Sequence, residues 1–195
     1  MTFSKSCTGR FLVASPSLSD PNFKRSVVLV CDHHPKGAFG VVVNRPMSLP
    51  LSSVFPSIFE DCEDASGLGE AHYGGPVDPN RMLAIRHVPS FDLDDAENSV
   101  RVGDGLELVG DVDRALNGIA NETIAPSIYR FFLGYAGWGE GQLESELDEG
   151  SWIVCPADGD TLFGTSGDEL WPASLRRLGG IYALLSEFPA DPEVN

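Results

Sequence analysis

Apolar and polar positions change period several times along the chain, and each change marks an element. Residues 9–15 (GRFLVAS) form a short apolar run and read as a strand, followed by a loop over 15–22 with Pro16 and Pro21. Residues 26–32 (SVVLVCD) are almost continuously β-branched, which predicts a strand buried on both faces. Residues 33–37 read as a turn and 38–44 (AFGVVVN) as a second strand, ended by Arg45 and Pro46, so 26–44 is the clearest hairpin. Leu51, Val54, Phe55, Ile58 and Phe59 have helical spacing within 49–59, interrupted at Pro56. Residues 60–70 read as an acidic loop, and Tyr73, Gly74, Gly75 and Pro76 as a tight turn.

Strands are expected over 81–88 and 100–109, the second divided at Gly103, Asp104 and Gly105. Asp111 is a good N-cap for a helix through Asn121, with Val112, Ala115, Leu116 and Ile119 on one face. A strand over 127–136 then meets a glycine-rich corner at 137–141, a short acidic helix at 142–149 and a strand at 151–156. A helix over 168–178 stops at Gly179 and Gly180, a last apolar segment covers 181–188, and an acidic tail over 189–195 is expected to fray. Strands and helices alternate without a βαβ period, and no strand leads into a GxGxxG turn. The pattern predicts a single α+β domain over 1–195, a mixed β-sheet curled into a barrel-like core with flanking helices.

Charge changes the picture most. The chain of 195 residues carries 29 acidic and 13 basic side chains, for a net charge of -16. Six of the basic residues lie in the first fifty positions, which are net positive, and residues 51–195 hold 27 of the acids. A polyanion needs a positive field in which to release its counterions, so the overall charge opposes direct nucleic-acid binding. Arg10, Lys24, Arg25, Lys36 and Arg45 would have to gather into one patch to overcome it. No apolar run suits a signal peptide or a membrane span. Cys7, Cys31, Cys62 and Cys155 are widely spaced without a CxxC, which reads as reduced thiols in the cytoplasm and no zinc site.

Candidate chemistry is sparse. Gly164, Thr165, Ser166 and Gly167 have the wrong spacing for a nucleophile elbow. Cys31, Asp32, His33 and His34 look chemical, but strand alternation sends Cys31 and His33 to one face and Asp32 to the other. The plain reading there is a buried thiol at a strand end followed by turn histidines. The stretch from Gly134 to Glu144 (GYAGWGEGQLE) is the most distinctive. Glu140 and Glu144, four apart, could hold a divalent cation, and the competing reading is a tight strand-to-helix turn packed under Trp138.

Several islands in order resemble the YqgE/AlgH family of bacterial proteins: GRFLVASP from Gly9, DPNFKRSVV from Asp20, GAFGVVVNRP from Gly37, YGGPV from Tyr73 and GYAGWGEGQLE from Gly134. Cys31, Asp32 and His33 are similar to that family's Cys–acid–His segment, and the likeness spans about residues 9 to 186. The C-terminus departs from the family's usual small-residue ending. The resemblance implies an α+β fold with a barrel-like mixed sheet and no established activity, cofactor or catalytic residue. It also brings a label, transcriptional regulator, attached through one member linked to alginate synthesis. The reading that follows is a non-enzymatic cytoplasmic regulatory protein acting through a protein partner, with no cofactor, metal or membrane. The alternative is a small-ligand pocket or enzyme. The candidate binding residues are Arg10, Asn44, Arg45, Tyr73, Gly74, Gly75, Tyr135, Trp138, Gln142 and Glu144.

Overall fold

A computed structural model describes residues 6–62, 67–88 and 98–188. Strand β1 (Arg10–Ala14) lies between β2 (Val27–His34) and β10 (Trp152–Pro156), antiparallel to both. The expected hairpin is present, with β2 turning through Pro35 and Lys36 alone into β3 (Gly37–Val42). The long strand β9 (Tyr129–Gly139) organises the rest. Its C-terminal half pairs with β3, and its N-terminal half pairs with β6 (Val77–His87) and, in parallel, with β5 (Glu70–Tyr73). Beyond β6 come β8 (Leu106–Leu108) and β7 (Val100–Gly103), while β4 (Pro46–Pro50) pairs with β5. The sheet is mixed and curled, as the pattern predicted.

Three apolar clusters hold it. Phe11, Val13, Val27, Leu29 and Phe132 line one face and meet α4 (Gly159–Gly164) and α5 (Gly167–Leu178) through Leu162, Leu170, Trp171 and Leu175. Leu12, Ala14, Val28 and Val30 line the other face and meet Trp138, Trp152 and Leu143 of α3 (Gln142–Asp148). The first three strands are therefore buried on both faces, as a β-branched run requires. The third cluster sets Leu116 and Ile119 of α2 (Val112–Ala120) against Ala84 and Phe131, with Asp111 capping the helix by accepting from the Arg114 N–H at 2.9 Å.

Some expectations are corrected. The helix expected over 49–59 is strand β4 followed by a single turn, α1 (Leu51–Val54). Pro50 and Pro56 bracket the segment, and a proline interrupts the helical hydrogen-bond ladder, so apolar spacing alone does not carry a helix there. The corner at 137–141 begins later than expected, because β9 runs through Gly139 in register with Gly37 of β3. Tyr73, expected in a turn, closes β5. The helix α4 was not expected, although Asp158 caps it by accepting from the Thr161 N–H at 2.8 Å. Residues 63–66 of the acidic loop and the tail 189–195 lie outside the described residues.

One local irregularity matters for the site. The β2–β3 ladder jumps from Val30–Gly40 to Asp32–Phe39, leaving Cys31 as an extra residue in a bulge. The bulge reverses the side-chain phase. Cys31 packs in the first cluster with Leu29, whereas His33 emerges on the opposite face beside Cys7.

Candidate functional site

The helix α3 and the end of β9 form a dense polar corner. His33 is buried, and its Nδ1 accepts from the Cys7 backbone N–H at 3.1 Å. Its Nε2 lies 3.0 Å from Glu144 Oε1, so the proton sits on Nε2 and is donated to the carboxylate. Trp138 and Trp152 each donate their indole N–H to Glu146 Oε2, at 2.8 and 2.7 Å. Gln142 Nε2 donates to Glu146 Oε1 at 2.9 Å, and Gln142 Oε1 accepts from the Gly139 N–H at 3.1 Å. The structure thus brings together Trp138, Gln142 and Glu144, and adds His33, Glu146 and Trp152. No group of three or more His, Cys, Asp or Glu placed to hold a metal occurs among the described residues.

A second group lies where β3 ends. Asn44 is buried; its Oδ1 accepts from the Val27 N–H at 2.8 Å and its Nδ2 donates to the Arg25 carbonyl at 3.0 Å. Arg45 Nη2 donates to the Lys24 carbonyl at 3.0 Å, and the guanidinium lies 5.7 Å above the Tyr73 ring. Both side chains pin the loop before β2, in which Arg25 has φ of 55°. Arg25 itself covers Trp171 at 4.0 Å and donates to the Phe188 carbonyl at 2.7 Å. Gly74 and Gly75 permit close backbone crossing: a Cβ on Gly74 would stand 2.2 Å from the Gly134 oxygen, and one on Gly75 2.1 Å from the Tyr135 carbonyl carbon. Tyr135 packs edge-on against Phe39, with Arg81 over its ring.

Arg10 stands apart, in the lining of a groove of about 400 Å³ between β1, β7 and β10. Arg10 thus lies apart from Arg25 and Arg45, which share the loop before β2.

Three of the thiols are kept as thiols. Burial pushes Cys31 up to about 12. Burial also raises Cys7, with the Glu144 charge adding to it, and raises Cys155. A thiol raised in this way is a poor nucleophile. His72 is pushed down to about 4 by burial and by the nearby Arg130 charge, while the carbonyls of Glu70 and Phe131 pull the other way. Its Nδ1 has no hydrogen-bond partner among the described residues.

Helix α6 (Gly180–Leu185) carries a feature that the motifs did not point to. Ile181 and Leu184 are 64% and 68% exposed, and Phe188, one turn further on, is 54% exposed. Leu185 faces inward against the first cluster. The signal was the apolar segment 181–188, in which Ile181 and Leu184 stand one turn apart on α6.

The AlgH-like family model matches residues 11–183. A UPF0301 protein of Chlorobium limicola is 36% identical over 193 residues, covering 99% of this chain and 98% of its own length. One from Streptomyces coelicolor is 39% identical over 199 residues, covering 100% of this chain and 98% of its own. Among solved structures, the AlgH protein from Pseudomonas aeruginosa superposes with a TM-score of 0.72 at 33% identity, covering 97% of this chain and 98% of that one.

Proposed function

The chain belongs to the AlgH-like family, and on that premise we propose that it is a non-enzymatic regulatory protein of the cytoplasm that acts through a protein partner docking on the outer face of α6. One observation carries the proposal: Ile181, Leu184 and Phe188 are each more than half exposed within eight consecutive residues. Large apolar side chains grouped on a surface are the usual mark of an interaction site. The partner's chemistry follows from charge. In a chain of net -16, the matching surface is an apolar groove flanked by lysine or arginine.

The distinctive islands support this reading by what they are already committed to. Asn44 and Arg45 hold the loop that presents Arg25, and Arg25 holds the end of the apolar stripe. Trp138, Gln142 and Glu144 spend their polar atoms on one another's neighbours, and the three most buried thiols are not activated. The same charge argues that any regulatory role reaches DNA through the partner.

The test pairs the chain with its Ile181→Ser, Leu184→Ser variant in affinity capture, followed by reconstitution with the purified partner. Loss of the reconstituted complex in the variant, with unchanged unfolding, is the expected outcome. Equal capture by both forms overturns the assignment to α6.

A further inference from the structure

In hydrogen-bonding order, β7 and β10 are the two ends of the curled sheet, with no ladder between them among the described residues. A groove of about 400 Å³ opens at that seam. Its walls are the start of β1 with Thr8 and Arg10, the strand β7 with Arg101, and the Asp104 turn. Arg10 and Arg101 therefore both lie in the lining of one cavity, in a protein whose acids outnumber its bases 29 to 13. Among the described residues, nothing accepts a hydrogen bond from the Arg10 guanidinium, and no carboxylate pairs with it. Elsewhere Arg25, Arg45, Arg86, Arg130, Arg176 and Arg177 each donate to a named oxygen. A half-buried arginine with no protein acceptor is open to an external anion, which its planar fork can hold with charge-assisted hydrogen bonds.

We propose that this seam groove binds a small molecule carrying a phosphate group and adjacent hydroxyls, with Arg10 on the phosphate. The planar fork of a guanidinium matches two phosphate oxygens at once. The Thr8 hydroxyl and the Asp104 carboxylate, on the same lining, suit the hydroxyls of an attached sugar. The volume fits one such unit and lies within the range of small-molecule sites. The glycines at the seam keep it open: Gly9 and Gly103 lie in the lining, and a Cβ on Gly9 would come within 3.4 Å of the Gly103 Cα. A long polyanion would meet the acidic remainder of the surface, whereas a single phosphate would not. This site is independent of the face on α6.

The experiment is calorimetric titration of the whole chain with ribose 5-phosphate, and separately with inorganic phosphate, at ionic strength held constant with chloride. The expected result is one saturable site for ribose 5-phosphate, weaker for phosphate alone, with affinity falling tenfold or more in Arg10→Ala. Arg10→Gln serves in its place if the alanine variant has an altered urea midpoint. No saturable heat from either probe, or the same affinity in the Arg10 variant, overturns the proposal. Tighter binding of single-stranded oligonucleotide than of ribose 5-phosphate overturns the small-molecule assignment.

Discussion

Arg25 donates from Nη1 to the carbonyl oxygen of Phe188 at 2.7 Å, across 163 positions of sequence. The same guanidinium stacks on Trp171, and the Arg25 carbonyl accepts from Asn44. One loop residue thus ties the end of the hairpin to the last apolar turn.

Arg25→Ala removes a charge-assisted hydrogen bond and a cation–π contact, which together contribute about 2 kcal/mol. Amide exchange in 180–188 should quicken while the strands stay protected, read by hydrogen-exchange mass spectrometry. Uniform exchange across the chain would mean that Arg25 does not hold this segment. Asn44→Ala should cost more in urea unfolding, about 3 kcal/mol, because it strands the buried Val27 N–H.

Glu146 is the shared acceptor of two indoles. Glu146→Ala leaves the Trp138 and Trp152 N–H groups without it and should cost about 3 kcal/mol. Tryptophan emission should shift to the red as water reaches the corner. A variant as stable as the parent would show that the indoles find another acceptor.

The burial of His72 makes stability depend on pH. The unfolded chain takes up a proton near pH 6.5, whereas the folded chain refuses it until about pH 4. Stability from this group is full above pH 6.5 and is lost as pH falls toward 4, in total about 3 kcal/mol. In His72→Gln, the slope of unfolding free energy against pH across that window should flatten. An unchanged slope would contradict the burial of a neutral ring.

Under native conditions an alkylating reagent should modify Cys62, which is half-buried, well before Cys7, Cys31 and Cys155, which are buried. Peptide mass mapping reads the order. Early modification of Cys31 would contradict a thiol held up to about 12.

Much of the fold was legible because hydrophobic period reports burial. The run from Val27 to Val30 and the Asp111 cap appear where the pattern puts them. The phase of His33 was not legible, because a bulge at Cys31 depends on the register of β3 and leaves no mark in β2 itself. The strands β4 and β5 were missed because they are short, and β4 is mostly exposed. Of the candidate residues, the corner set Trp138, Gln142 and Glu144 does converge, joined by Glu146, which looked like one acid among many. Arg10 lies with none of them. The segment 181–188 was visible only as an apolar run, and the structure shows which of its side chains are left uncovered.

The central claim is that Ile181, Leu184 and Phe188 receive a protein partner. Its most direct test is cross-linking mass spectrometry on the complex reconstituted from the whole chain and the captured, purified partner, with the Ile181→Ser, Leu184→Ser variant alongside. Cross-links clustered around 180–188, a complex weakened by added salt, and no complex with the variant are expected. Cross-links confined to another face, or an equally stable complex with the variant, would contradict it.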